Sequence, residues 1–572
     1  MPREGSQAEV SNLGFAPETS EVLETSEVFL LPAFAAWREG CYTTRVVAHH
    51  GPGRGASRVV LLSMIYALAA VWLAVYGLNA FVLTLLYLRH RGDSPADPPL
   101  TVFPRVTVQL PVFNEAHVIE RLIDSAVRLT YPHDRLQIQI LDDSTDETTP
   151  LARQRVEYHR ARGVNVELLH RRTRVDFKAG ALGEGLRRAT GEFIALFDAD
   201  FLPPQDFLVN TIPHFLSRPR LGFVQTRWGH INYAYSSLTR SQAIALDGHF
   251  GVEQPARDRA GLFLNFNGSA GVWRRQCIED AGGWQGDTLC EDMDLSYRAQ
   301  LAGWQPLYLH DVVCPAEIPP QIHGFKRQQA RWARGSISCA LKLWRPILRA
   351  PVSAFKRLQG LIHLTSYLVH PLMMLILILS VPLLFTRQPV AFPLTFLSLA
   401  SLGPPTLYTM AQRGLHPDWA KRLRYFPLLV LLGTGLALNN TRSIYEEVRG
   451  RKGEFRRTPK FRLEEQRDDW RSSGYALSFD WLALGETLCM LYALVGVVIA
   501  LQQGSYFAVP FLMLYVLGFG YVASLTVLHS PRGWLPRRAP TRGAEVRPTG
   551  NAFATWREQA VWRSRKSTER SR

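Results

Sequence analysis

Charged side chains disappear from the chain between Val59 and Leu88, a run of thirty residues, whereas about 20 apolar residues suffice to cross a bilayer. One long or tilted span is expected there. The run is too long and too far from Met1 for a cleaved signal peptide, so it should stay in the mature protein. Apolar stretches return at Leu361–Phe385, Val390–Met410, Leu482–Leu501 and Tyr506–His529, each close to a crossing in length, which makes about five spans. Tyr425–Leu438 reaches only about one half to two thirds of a span and is expected to lie in the interface or to re-enter.

Between these blocks the pattern changes. Arg105–Phe113 is an apolar, β-branched run followed by Asn114-Glu115 and a helical repeat through Val118, Leu122, Ala126 and Leu129. Leu136–Leu141, Val164–Leu169 and Phe193–Phe197 are further strand candidates separated by helical stretches. Strands alternating with helices predict an α/β fold with a mostly parallel sheet. The expected organisation is therefore an N-terminal segment over 1–58, partly disordered, a transmembrane helix over 59–88, an α/β domain over 89–350, transmembrane and interfacial helices over 351–530 with about four spans, and a basic tail over 531–572.

The net charge of +16 does not require nucleic acid as a partner. Arginines gather beside apolar runs, at Arg89, Arg91, Arg345, Arg349, Arg413 and Arg424, and in the tail from Arg532. The positive-inside rule explains that placement and puts the α/β domain and the C-terminus in the cytoplasm of a multi-pass membrane protein. The N-terminal segment, Glu-rich through Glu27, would lie outside. Six cysteines without C-x-x-C or paired spacing indicate neither a zinc site nor a disulfide framework.

In parallel α/β sheets ligands bind beyond the carboxyl ends of strands. Asp142-Asp143 and Asp198-Ala199-Asp200 both stand at such ends. Asp198 and Asp200 are spaced to present oxygens to one hard cation, Mg²⁺ or Mn²⁺, which also keeps waters and binds diphosphate. Asp142 or Asp143 would accept hydrogen bonds from a nucleotide's base or ribose, and Lys178 in Phe-Lys-Ala-Gly-Ala would contact the same ligand. In Glu291-Asp292-Met293-Asp294, Asp292 is the candidate general base, with Glu291 and Asp294 as rivals; acids also favour a helix start. Gln328-Gln329-Ala330-Arg331-Trp332 joins amide donors, a guanidinium fork suited to phosphate oxygens and an aromatic face, with Gln328 and Arg331 on one side of a helix.

Taken together, residues Pro104 to Trp344 resemble the processive family 2 glycosyltransferases of GT-A fold, the group of cellulose, chitin and hyaluronan synthases. The stretches Val224-Gln-Thr-Arg-Trp228, Phe266-Asn-Gly-Ser-Ala-Gly-Val-Trp-Arg274, Gly282-Gly-Trp284, Glu291–Asp294 and Gln328–Trp332 look most like the cellulose-synthase-like mannan and glucan-backbone synthases. The resemblance implies that Asp142 and Asp143 bind the nucleotide and that Asp198 and Asp200 hold the metal. It likewise implies Asp292 as the base, and Gln328, Gln329, Arg331 and Trp332 at the diphosphate and acceptor end. Phe455-Arg-Arg-Thr-Pro-Lys460, within 451–462, resembles the gating loop of cellulose synthases, which would bring Thr458 and Lys460 over bound nucleotide; Arg457 replaces the expected valine. Cys290 stands where many members have threonine.

The function so implied is an inverting, metal-dependent transfer of hexose from a nucleotide sugar such as UDP-glucose or GDP-mannose to a growing β-linked glycan, coupled to export through the lipid bilayer. Single transfer to a lipid-linked acceptor and a catalytically silent transporter or scaffold are the alternatives.

Overall fold

The computed structural model describes residues 54–93, 98–386, 399–451, 457–463, 468–471 and 473–530. The expected N-terminal segment up to residue 53, residues 390–398 of one expected span, residues 452–456 of the gating-loop-like segment and the basic tail lie outside them.

Helix α1 (Arg54–Arg89) is continuous. Its Leu61, Leu68 and Leu85 side chains are 57, 67 and 66% exposed, a surface that calls for an apolar solvent. The α/β domain follows as β1 (Val106–Val112), α2 (Ile119–Val127), β2 (Leu136–Asp142), α3 (Thr148–Arg160), β3 (Val166–His170), α4 (Phe177–Arg188), β4 (Phe193–Leu196), α5 (Phe207–Ser217), β5 (Leu221–His230) and α6 (Ser237–Gly248). A π-helical turn at His249–Glu253 leads into α7 (Gln254–Arg259), β6 (Gly271–Arg274), α8 (Arg275–Asp280), α9 (Glu291–Leu301) and β7 (Gln305–Ala316).

The seven strands form one sheet in the order β3-β2-β1-β4-β6-β5-β7. β6 runs antiparallel between β4 and β5, and the other pairings are parallel, so the sheet is mixed and mostly parallel. Alternation along β1 explains how its two faces differ. Val106, Val108, Leu110 and Val112 enter the apolar core, whereas Thr107 and Gln109 donate to Gln137 and Gln139 on β2 (2.8 and 3.0 Å), and both glutamines donate to Glu167 on β3. This polar ladder satisfies groups that burial would otherwise penalise. Val112 pairs with Asp142, so the ends of β1 and β2 are level, and Asp198 follows β4 on the same edge.

Beyond the sheet, α10 (Ile322–Arg349) carries the Gln328–Trp332 stretch. It passes the start of α9 at close range: a Cβ at Gly335 would overlap Cys290. The remaining helices are α11 (Ala354–Leu364), α12 (Val369–Phe385), α13 (Gly403–Leu415), α14 (Trp419–Leu423), α15 (Phe426–Gly435), α16 (Ala437–Val448), α17 (Leu482–Gln502) and α18 (Ala508–Leu528). Among the described residues four helices are long and apolar enough to cross a membrane: Ser57–Arg89, Ser366–Phe385, Leu482–Gln502 and Ala508–Leu528. Within Tyr425–Leu438 the structure has α15, too short to span alone.

Candidate active site

A cleft at the carboxyl edge of the sheet is lined by the loops after β1, β2 and β4, the start of α4, the Asn267-Gly268 turn, the start of α9, one face of α10, and Arg457, Thr458 and Lys460. Asp143, Lys178, Asp198, Asp200, Asp292, Gln328, Arg331, Trp332, Thr458 and Lys460 all line it. Residues separated by more than three hundred positions in sequence thus face one space.

Asp198 and Asp200 are each paired with an ammonium group. Lys178 Nζ donates to Asp198 Oδ1 (2.6 Å) and to the Gly268 carbonyl (2.8 Å), with Glu291 Oε1 at 3.8 Å. Lys460 Nζ donates to Asp200 Oδ2 (2.7 Å). Burial pulls both ammonium groups down, but their carboxylate neighbours outweigh it and leave them raised. Both lysines therefore carry charge at neutral pH.

Asp292 lies in the first turn of α9, where the helix dipole favours an anion. Its Oδ1 accepts from the Met293 amide (2.8 Å). Burial, followed by repulsion from Glu291, pushes its carboxyl up to about 7, against the pull of Lys178. Gly268 ties this group to the lysine. Its φ is +80°, and a Cβ there would sit 2.8 Å from Asp292 Oδ2 and 3.4 Å from Lys178 Nζ. Gly268→Ala would combine backbone strain with displacement of both groups, so transfer activity is expected to fall at least about tenfold while the fold persists, a shift of roughly 1.4 kcal/mol in the barrier. Steady-state rates beside a thermal melt check this; wild-type turnover would contradict it.

Two residues singled out in the sequence sit elsewhere. Successive strand residues point to opposite faces, so Asp143 reaches the cleft and Asp142 turns inward, where its carboxylate accepts from the Ser144 amide, Thr149 Oγ1 and His170 Nδ1 (2.9, 2.6 and 2.9 Å). Asp142 thus braces the loop that presents Asp143. On α10, positions 328, 331 and 332 share a face, whereas Gln329 is rotated away and accepts from the Tyr367 hydroxyl (3.2 Å). Asp294, a rival for the base, is enclosed by Arg298 (2.7 Å) and Lys342 (2.9 Å). Glu291, the other rival, remains on the cleft wall.

Residues to which the sequence assigned no role also line the cleft: Glu115, Arg174, Trp228, Asn267 and Arg457. Arg174 lies 3.5 Å over the Phe113 ring. Glu115 is pushed up to about 8, mainly by burial, with Arg457 and Lys460 opposing. Arg457 stands over Tyr475 and donates to the Phe113 carbonyl; Glu317 accepts from the Phe461 and Arg462 amides (2.8 and 2.9 Å). These contacts lay residues 457–462 across the cleft. The Thr458 hydroxyl, on a residue 5% exposed, has no hydrogen-bond partner there.

Two carboxylates on one wall of this cleft, both already holding cations, are hard donors that suit Mg²⁺ or Mn²⁺ completed by waters and phosphate oxygens. Residues 104–335 match the family described as glycosyltransferase like family 2. The chain is 44% identical over 261 residues to probable glucomannan 4-beta-mannosyltransferase 6 of Oryza sativa subsp. japonica, covering 45% of this chain and 46% of that protein. It is 35% identical over 348 residues to probable glucomannan 4-beta-mannosyltransferase 11 of Arabidopsis thaliana, covering 60 and 73%. A solved mannosyltransferase from Pyrobaculum calidifontis in complex with GDP-Man and Mn²⁺ superposes with a TM-score of 0.46 at 23% identity, over 68% of this chain and all of that one. The chain belongs to the family 2 glycosyltransferases, with cellulose-synthase-like relatives and a GT-A fold. It spans about half the length of several curated relatives that it matches, 46 and 48% of two of them.

Proposed function

We propose that the protein is an inverting, divalent-metal-dependent hexosyltransferase that extends a β-linked glycan of the mannan or glucan type from a nucleotide sugar, with synthesis coupled to export. The observation that carries this reading is that Asp198, Asp200 and Asp292 line one cleft, with Lys178 reaching from Asp198 towards Glu291. The names of the relatives favour mannose and make GDP-mannose the first donor to try.

In this scheme Asp143 and the Phe113–Arg174 wall receive the nucleoside, and Lys178, Arg331 and Lys460 face the diphosphate. Asp198 and Asp200 would hold a divalent metal, which would add to the neutralisation of the leaving group's charge. Asp292 takes the proton of the acceptor hydroxyl as that oxygen attacks the anomeric carbon from the side opposite the diphosphate, which inverts the centre. Trp332 offers a flat face to the sugar ring, and Thr458 and Lys460 close the cleft over the nucleotide. Among the described residues, four helices able to cross a bilayer flank this domain and support delivery of the product towards the membrane.

The test uses full-length protein in lipid nanodiscs, incubated with GDP-mannose, GDP-glucose or UDP-glucose and Mg²⁺ or Mn²⁺. One donor is expected to yield a β-linked polymer, and chelation by EDTA to remove the activity until metal is restored. A product with one sugar on a lipid would end the polymerase reading, and EDTA-resistant transfer would end the metal assignment.

A further inference from the structure

Residues 457–462 have a second side. Thr458 and Lys460 line the cleft, whereas Pro459 between them lines another cavity, of about 400 Å³. Helix α10 is divided in the same way: Gln328 faces the cleft and Arg327, one 100° step earlier, faces the second cavity. Arg457 lines both spaces. Asn114 and the segment from Gly474 to Ser478 complete the wall. Leu477 is tied through both backbone groups to Gln321 (3.0 and 2.9 Å), which also donates to the His529 carbonyl just past α18 (3.1 Å). The cavity therefore stands beside the end of one candidate membrane-crossing helix and shortly before the start of another, α17.

Charge is distributed unevenly around this cavity. Two arginines line it, and among the described residues no carboxylate does. Glu115, 3.8 Å from Arg457 Nη1, belongs to the cleft wall, and Asp146 is engaged by the Tyr475 hydroxyl. Tyr475 carries Arg457 over its ring at 4.2 Å and meets His117 edge-on, so recognition here rests on charge rather than on stacking. The Arg457 side chain is 11% exposed. Its Nη1 donates to the Phe113 carbonyl (3.2 Å), while Nη2 is buried and has no hydrogen-bond partner. A buried cationic donor left unmatched is costly, and an anion entering the cavity would satisfy it.

We propose that this second cavity binds a ligand with a terminal phosphate group between Arg327 and Arg457, and that the bound phosphate fixes residues 457–460 from behind; the effect on the donor rests on the transferase reading above, the binding itself does not. Guanidinium forks match phosphate oxygens in shape as well as in charge. Arg457, bonded to the Phe113 carbonyl on one side and to phosphate on the other, would hold Thr458 and Lys460 over the cleft. Ligand and donor then favour each other's binding by the same factor. The terminal phosphate can come from solution or from a lipid headgroup, since the cavity lies beside the ends of two candidate spans.

Arg327 is partly exposed, so phenylglyoxal labelling read by peptide mass reports on the cavity directly. Full-length protein in phosphatidylcholine nanodiscs would be labelled with and without inorganic diphosphate, and again in nanodiscs containing phosphatidic acid with no free phosphate. Protection of Arg327 by diphosphate assigns a soluble ligand, and protection by phosphatidic acid assigns a headgroup. Ser478→Glu, at an exposed position of the wall, sets a carboxylate in the cavity and is expected to raise the half-protecting concentration about tenfold, with basal transfer unchanged. Arg331→Gln alters the cleft instead and should leave protection as it is. Protection by neither probe, protection matched by sodium chloride at equal ionic strength, or protection lost in Arg331→Gln but kept in Ser478→Glu would overturn the site. With the donor that turns over present at saturation and acceptor absent, half-protection should need about threefold less probe, a modest coupling; an unchanged value would overturn the link to the cleft. Absence of turnover with every donor would remove the transferase reading, while labelling without donor would still decide whether the cavity binds phosphate.

Discussion

Asp292→Asn is expected to lower kcat by about 10²- to 10⁴-fold, the usual worth of a positioned general base, while leaving the donor KM nearly unchanged. The substitution keeps the size of the side chain and its contact with the Met293 amide but removes the lone pair that accepts the proton. It also removes a negative charge beside Glu291 and Lys178, so donor binding should not weaken. The same assignment fixes a pH dependence. A base works only when ionised, and burial with the Glu291 charge pushes Asp292 up to about 7. Activity should therefore climb as pH rises through about 7 and level off above it, with kcat/KM reporting the free enzyme. Glu291→Gln takes away the repelling neighbour and should move that limb to lower pH. A pH-independent rate between 5.5 and 8.5, about one and a half units to either side of the limb, or an asparagine variant with wild-type kcat, would transfer the base to another residue.

How far the sequence reached depended on the kind of regularity each residue belongs to. Strand ends are legible because apolar β-branched runs stop abruptly, and the strand-end rule located Asp143, Asp198 and Asp200 without coordinates. The period of a helix likewise grouped Gln328 with Arg331. The same periodicities, applied one residue further, separate Asp142 from Asp143 and Gln329 from Gln328. Those distinctions follow from the two-residue alternation of a strand and the 100° step of a helix. Glu115, Arg174 and Arg457 were beyond reach for another reason. They lie on loops with no repeat, and only the tertiary approach of β1, α4 and the 457–463 segment brings them to the cleft. Lys460 came from a resemblance in which Arg457 breaks the pattern, yet both residues line the cleft, and Arg457 adds contacts to Phe113 and Tyr475 that a valine could not make.

Breaking the Lys326–Glu486 pair is expected to cost more stability than any substitution on the cleft wall. Lys326 precedes the Gln328–Trp332 stretch on α10 by two residues, and its Nζ lies 2.6 Å from Glu486 Oε1 on α17, with the two side chains 2 and 0% exposed. Thr526 on α18 adds a hydrogen bond at 3.1 Å, and Asp480 lies 3.6 Å away. Asn439 on α16 donates to the Lys326 carbonyl. The helix that presents Arg331 and Trp332 is thus anchored to two candidate membrane-crossing helices through one buried charge. Glu486→Ala leaves that ammonium without its closest counter-ion, and a buried pair broken on one side typically loses about 3–5 kcal/mol. Lys326→Met with Glu486→Leu removes both charges and should recover most of the loss, because the desolvation cost disappears with the attraction. Thermal unfolding of the two singles and the double in nanodiscs measures the coupling. Activity supplies the second readout: if α10 is positioned through this pair, the single variant loses kcat at temperatures where it remains folded, and the apolar double regains it. A Glu486→Ala protein with unchanged stability and unchanged kcat would show that α10 is held by its apolar contacts alone.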